Sequence, residues 1–176
     1  MQDEPFQTFD ASGNAAGIAP RSRVHREGLW HCAATVFLFR PDGRLVIQRR
    51  QGSKDVCPGA WDLSVAEHLT PGETYEQGAH RGLFEELGIE HIPLERWGGV
   101  IRAQIEIAEY GLKDYELQQP FRGVFGGVLR PNTDEVADID VIELKALGMA
   151  FAQRPADFTP WFRESAIQLG LCCGRE

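Results

Sequence analysis

Apolar positions along this chain follow two periods, and the switch between them marks its main elements. From Phe9 to Pro20, FDASGNAAGIAP reads as strand, turn and strand, with Ser-Gly-Asn at the reversal. HCAATVFLF is an apolar, partly β-branched run, and RLVIQRR follows it across RPDGR, where Asp-Gly signals a hairpin. SKDVCPGAWDLSVAEHLTPGE is rich in loop residues and holds one short strand around Asp62–Ala66. At Thr74 the period changes. Tyr75, Ala79, Leu83 and Leu87 recur at helical spacing, Thr74 and Gln77 form a capping-box pattern, and Gly88 stands where a C-cap glycine belongs, so a helix is predicted from about Thr74 to Leu87. GGVIRAQIEIAE and the run near PFRGVFGGVL read as strands, with YGLKDYELQQ between them as an acidic loop. ADIDVIELKAL reads as a strand entering a short helix, and TPWFRESAIQLGLC as a last helix starting at Thr159 with Pro160 in its first turn. Strands with one early and one late helix imply an α+β fold or a three-layer α/β/α sandwich.

The length of 176 residues suits one domain spanning residues 1–176 with a substantial core. A net charge of −8 argues against a nucleic-acid partner, so an anionic substrate would need local basic residues or a metal ion. The N-terminus is acidic, and no apolar run is long enough for a signal peptide or a membrane span, which points to a cytoplasmic protein. Cys32, Cys57 and the adjacent Cys172–Cys173 are spaced for neither a zinc site nor a disulfide framework, and reduced thiols are expected.

The chemistry concentrates in RGLFEELGIE, residues 81–90. Glu85 and Glu86 are adjacent acids on one helix turn, a charge cluster that is unfavourable without a cation; a solvated helix end is the plainer alternative. Position 82 shares their face but is glycine, which costs about 1 kcal/mol in a helix relative to alanine. Gly78 and Gly82, four apart, would leave a flat strip for close packing. Arg49, Arg50 and Lys54 form a candidate phosphate grip, unless they are merely solvated at a strand end.

GETYEQGAHRGLFEELGI resembles the Nudix box, G-x5-E-x7-R-E-U-x-E-E-x-G-U with U aliphatic: Glu73, Arg81, Leu83, Glu85, Glu86, Gly88 and Ile89 fall in register over residues 67–89. Two positions depart, with Glu67 at the opening glycine and Gly82 at the Glu after the Arg. Arg49–Arg50, Ser53–Lys54, Pro58-Gly59-Ala60-Trp61, Glu67–His68 and the late FTPWF resemble the branch containing isopentenyl-diphosphate isomerase and its hydrolase relatives.

The resemblance implies a Nudix α/β/α sandwich around a mixed sheet, a Glu73–Arg81 brace between loop and helix, and Mg2+ (or Mn2+) held by Glu85 and Glu86. The family's opening glycine lies beside the metal, so Glu67 would bring a carboxylate there and Gly82 would make room for it, one carboxylate exchanged for another. His68 matches a metal-binding histidine of the isomerase, and His25 and His31 match its N-terminal pair; each is otherwise a packed histidine. Glu116 falls near the isomerase's catalytic acids, or else in a solvated loop, and Trp161 lines the pocket or fills core. The isomerase cysteine that exchanges a proton with the prenyl carbon is matched by Ala66, and Cys57 lies nine residues upstream. The expectation is a metal-dependent Nudix pyrophosphohydrolase acting on a small organic or nucleoside diphosphate, with neither nucleic-acid nor membrane partner. Catalysis would fall to Glu67, Glu85, Glu86 and Glu116, with Glu67, Glu85, Glu86 and His68 on the metal. Isopentenyl-diphosphate isomerase and an inactive Nudix-fold sensing module are the rivals.

Overall fold

The computed structural model describes residues 3–172. Ten strands form one mixed sheet: β1 (Pro5–Phe9), β2 (Ala15–Pro20), β3 (Trp30–Phe39), β4 (Leu45–Arg50), β5 (Trp61–Asp62), β6 (Val65–His68), β7 (Glu95–Arg96), β8 (Ile101–Ile107), β9 (Leu112–Val124) and β10 (Val136–Ile142). The helices are α1 (Arg21–Glu27), α2 (Tyr75–Leu87), α3 (Leu144–Gln153) and α4 (Pro160–Gln168).

The long apolar strand β3 is the spine. It runs antiparallel to β6, with Ala33 opposite His68 and Thr35 opposite Ala66, and parallel to β9, with His31 opposite Glu116 and Ala33 opposite Gln118. Alternation then sorts its side chains. Ala34, Val36 and Leu38 pack with Val65 against Ala79, Leu83 and Leu87 of α2. Phe37 joins Leu45, Ile47 and Leu63 on the other face, beneath Leu147 and Phe151 of α3 and Phe162 and Ala166 of α4. Helices thus cover both faces of a mixed sheet. The β1–β2 hairpin and α1 form a small annex around Phe6, Ala19 and Val24.

Thr74 caps α2 through a complete capping box with Gln77, and Gly88 ends the helix in the left-handed region at φ 66°. Thr159 caps α4, its side chain accepting from the Phe162 N–H.

Three expectations need correction. Helix α1 went unpredicted, because seven residues between Pro20 and Gly28 are too short to show a repeating stripe. The single strand expected around Asp62–Ala66 is two, β5 pairing with β4 and β6 with β3. YGLKDYELQQ is no loop: after a 3-10 turn at Ala108–Tyr110 it forms the first part of β9. Its inward positions are Asp114, Glu116 and Gln118, all buried, so the strand's hidden face is polar and mimics a solvated segment.

Among the described residues no helix is long and apolar enough to cross a membrane. Cys32 and Cys57 are free thiols, and Cys173 lies outside the described residues.

Gly82 is where α2 meets β6. A Cβ there would lie 2.5 Å from Val65 Cγ1 and 3.1 Å from Glu67 Cβ. At Gly78 the nearest atom would be Leu69 Cδ1 at 3.1 Å. Gly82→Ala is therefore expected to lower stability in denaturant unfolding, although alanine gains about 1 kcal/mol of helix propensity. Adding Val65→Ala should recover part of the loss relative to Val65→Ala alone; no such coupling would mean that the contact is unimportant.

Candidate active site

Strand β6 places chemistry on both of its faces. Ala66 and His68 share a face with Ala33 and Thr35 of β3 and with Asp114, Glu116 and Gln118 of β9, and these residues line a pocket. Val65 and the Cβ–Cγ stem of Glu67 turn the other way, towards α2, while the Glu67 side chain also reaches the pocket lining.

At one end of the pocket three imidazoles meet two carboxylates. His25 Nε2 and His31 Nε2 are 3.3 Å apart, and Asp114 Oδ1 lies 3.5 Å from the first and 3.3 Å from the second. His68 Nε2 is 3.0 Å from Glu116 Oε1 yet makes no hydrogen bond, and Asp114 Oδ1 is likewise buried without one. His25, His31, His68 and Asp114 bring their ligating atoms within 4.8 Å of one another. Burial and the neighbouring imidazoles push the pKa of His25 and of His68 down to about 3, which keeps both rings neutral. Burial also opposes a charge on His31, but the close contact with Asp114 and the Glu116 charge outweigh it and raise its pKa. His31 Nδ1 lies 3.0 Å from the Leu29 carbonyl, a contact that directs Nε2 at the centre when Nδ1 carries the proton. Phe6 stacks on His31 and His68, with centroids 5.4 and 4.8 Å away, and closes this end. Neutral nitrogens, carboxylate oxygens and buried atoms lacking partners suit a divalent cation of the Mn2+ or Zn2+ type.

A second cluster lies across β6, on α2. Arg81 is its hub. It grips both Glu73 oxygens at 2.9 Å, donates to the His68 carbonyl at 2.8 Å, and lies 3.0 Å from Glu67 and 3.3 Å from Glu85. Glu73 in turn accepts from the Thr70 backbone at 2.9 Å, tying the loop to the helix. Glu67 lies over Gly82, with Cβ and Cγ in contact range of the missing side chain. Burial raises its pKa to about 7 against the pull of Arg81. Glu86 is buried and accepts from the Gln48 side chain; burial, then the charge of Glu67, push its pKa well up. Glu85 is exposed. Glu67 thus raises the pKa of Glu86, while Glu85 and Glu135 add to the burial that raises Glu67's own, a concentration of carboxylates that a cation would relieve.

Arg50 and Trp161 reach the pocket. The guanidinium lies 5.1 Å from the centre of the Trp161 ring and 3.3 Å from Asp62, and the indole N–H donates to Asp62 at 2.8 Å. Arg49 and Lys54 do not line it. Arg49 donates to the Gly59 carbonyl at 3.0 Å, and Lys54 pairs with Glu135 at 2.8 Å.

The expected residues thus divide into two groups. Glu67, Glu85 and Glu86 lie together on the helix side, with Glu73 and Arg81 as brace. His68 and Glu116 belong instead with His25 and His31 on the pocket side, where the His68 ring joins the histidine cluster. Asp114 was given no site role because YGLKDYELQQ was read as an acidic loop; its two-residue spacing from Glu116 and Gln118 was the available signal.

Residues 29–162 match the NUDIX domain family. The isopentenyl-diphosphate Delta-isomerase 2 of Photorhabdus laumondii is 32% identical over 92% of this chain and 90% of its own. The isopentenyl-diphosphate Delta-isomerase of Nocardia farcinica is 31% identical over 91% of each. Among solved structures, DR0079 from Deinococcus radiodurans superposes with TM-score 0.74 at 20% identity, covering 97% of this chain and all of its own. A MutT protein from Methanosarcina mazei gives 0.64 at 18% identity over 80% of this chain and 93% of its own. At these identities the structural likeness speaks for the fold.

The raised Glu67 pKa has a stability consequence. In metal-free protein the folded form keeps a proton on Glu67 that the unfolded form releases between about pH 4.5 and 7. Stability contributed by this group therefore falls as pH rises through that window. Glu67→Gln should flatten that part of the pH–stability curve in urea unfolding; an unchanged slope would show Glu67 to be ionised throughout.

Proposed function

The chain belongs to the Nudix family, in the branch of relatives named isopentenyl-diphosphate isomerase, and on that footing we propose that it is a metal-dependent hydrolase. It cleaves the diphosphate bond of a small organic or nucleoside diphosphate, with water as nucleophile. The observation that carries this reading is the convergence of half-buried Glu67, packed over Gly82, and buried Glu86, whose pKa the Glu67 charge helps to raise, with Arg81 the cation beside Glu67.

Glu67, Glu85 and Glu86 are the residues that would hold Mg2+ or Mn2+, and His25, His31, His68, Asp114 and Glu116 would hold a second cation. Divalent metal supplies the charge that neutralises diphosphate oxygens and acidifies water. Arg50, on the pocket wall, is placed to bind a phosphate oxygen; Arg49 and Lys54 would have to leave their present partners to join it. The Glu73–Arg81 brace fixes Glu67 and the His68 carbonyl relative to α2. Water attacks one phosphorus, the bridging P–O bond breaks, the bridging oxygen leaves with the other phosphate, and the water's proton passes to a carboxylate. Glu67, with a metal-free pKa near neutrality, suits that last role or a place on the metal.

The names of the relatives favour a second reading, carbon isomerisation of isopentenyl diphosphate. Against it stands Ala66, whose methyl lines the pocket beside His68 and exchanges no proton.

Three outcomes are expected. Phosphate release from a panel of diphosphates should require Mg2+ or Mn2+, and Glu86→Gln should abolish it while leaving the circular dichroism spectrum intact; full activity in that variant would remove Glu86 from the mechanism. Glu67→Ala should raise the Mg2+ concentration needed for half-maximal rate by tenfold or more, about 1.4 kcal/mol of binding. Isopentenyl diphosphate should yield no dimethylallyl isomer by NMR, and isomer formed at an enzymatic rate would reverse the ranking of the two readings.

A further inference from the structure

Asp62 on β5 is 1% exposed and is not part of the pocket lining, yet two residues that do line the pocket, Arg50 and Trp161, meet on its carboxylate. Its Oδ1 accepts from the Thr159 hydroxyl and the Trp161 indole N–H, both at 2.8 Å, and from the Leu63 backbone at 2.9 Å. Its Oδ2 lies 2.9 Å from the same indole nitrogen and accepts from Arg50 Nη1 at 3.3 Å. A buried carboxylate is costly unless a cation and further donors converge on it, and among the described residues Arg50 is its ion-pair partner.

These contacts hold Arg50 in several directions at once. Its backbone N–H donates to the Ala60 carbonyl at 2.9 Å, its Nε donates to the Val56 carbonyl at 3.1 Å, and its guanidinium lies 5.1 Å from the centre of the Trp161 ring. Nη2 makes no hydrogen bond among the described residues, which leaves it for an anion in the pocket. A long side chain at a strand end otherwise samples many rotamers, and a ligand that stops this motion loses affinity to the entropy cost. The indole is fixed by the same acceptor. Thr159 also bonds to Asp62, but it does not line the pocket; it caps α4, and its N–H ties that helix to the Trp61 carbonyl at 2.9 Å.

We propose that Asp62 is a positioning residue that holds Arg50 and Trp161 as one unit, so that the anion-binding N–H and the aromatic wall of the pocket stand at a fixed separation. The diphosphate hydrolase reading enters only in naming the anion that Arg50 meets.

The test uses imidodiphosphate with Mg2+. Its P–N–P bridge resists cleavage, so binding is read apart from turnover, and it carries no organic group to touch the Trp161 ring. Failure of the hydrolase reading would show separately, as absent phosphate release from diphosphates in Mg2+. In the wild type, imidodiphosphate should change the fluorescence of Trp161, taken as the difference from Trp161→Phe, because an anion on Arg50 alters the charge that Asp62 and the indole N–H share. Arg50→Gln should abolish that change. Asp62→Asn keeps the shape of the side chain and removes its charge. It should weaken imidodiphosphate about tenfold in the wild-type background and less than about twofold when added to Arg50→Gln, the pattern of a residue that acts through another. Thr159→Val removes a different donor to the same carboxylate and should lower the unfolding midpoint while keeping both the affinity and the fluorescence change. An Asp62→Asn loss of equal size in both backgrounds overturns the proposal, as does a Thr159→Val loss of affinity as large as that of Asp62→Asn. So does a wild-type Trp161 fluorescence that imidodiphosphate leaves unchanged, a result that decides the matter even where Asp62→Asn fails to fold.

Discussion

The two-residue period of β6 is the constraint on which the site depends. Four consecutive residues, Val65 to His68, lie between β3 on one side and α2 on the other, and successive side chains leave on opposite faces. Val65 and the stem of Glu67 face the helix, Ala66 and His68 the pocket, whose lining the Glu67 side chain also reaches. Register on β3 is held by Val36 opposite Val65, and a slip of one residue would turn Ala66 and His68 against α2 and Val65 into the pocket. The apolar contacts that hold this register are therefore also what keeps a carboxylate cluster and a histidine cluster apart, one on each side of a single strand.

Close approach on the helix side depends on Gly82. Packing and carboxylate exchange were alternatives in the sequence; the fold shows the packing, and the proposed exchange would use the same space. Val65 Cγ1 and Glu67 Cβ both occupy the space a side chain at 82 would take. A glutamate restored at 82 would meet Val65 as well as Glu67, so replacing Glu67 by glycine clears only one of the two obstacles. Arg81 then limits the repulsion among Glu67, Glu73 and Glu85 by touching all three, and the backbone carbonyl of His68 ties the same guanidinium to β6.

Elements with a continuous apolar stripe or a strong cap were legible in the sequence. Helix α2 is an example, from the Thr74 capping box to Gly88, and the β3–β4 hairpin around Asp42–Gly43 is another. Legibility failed where the buried face is polar. The first half of β9 turns Asp114, Glu116 and Gln118 inwards, and Leu112 alone among its first inward positions looks like core. The same effect hid part of the site: His25 lies on a helix too short to show a period, so its meeting with His31 and His68 is a tertiary fact. The Glu73–Arg81 brace could be read because its spacing lies within one helix and its preceding loop. The reach of Arg49 and Lys54 could not, because their partners, the Gly59 carbonyl and Glu135, come from loops whose paths have no local signature.

Alternation also bears on how the departures at 66 and 67 act together. Adjacent in sequence, they point away from each other, so neither side chain compensates the other sterically. The methyl at 66 removes a proton-exchanging group from the pocket face and leaves space beside Thr35; the carboxylate at 67 adds charge to the helix face beside Glu86. What couples them is the backbone they share with His68, whose ring joins the histidine cluster while its carbonyl accepts from Arg81. A shift of β6 that improved either centre would move the other. The two clusters are thus positioned by one short strand, while the chemistry available on each face follows from the side chains presented there. On the pocket face those side chains are the methyls of Ala33 and Ala66, the Thr35 hydroxyl and the Gln118 amide beside the imidazoles and carboxylates of the histidine cluster, so any proton exchange on that face falls to the cluster and not to position 66.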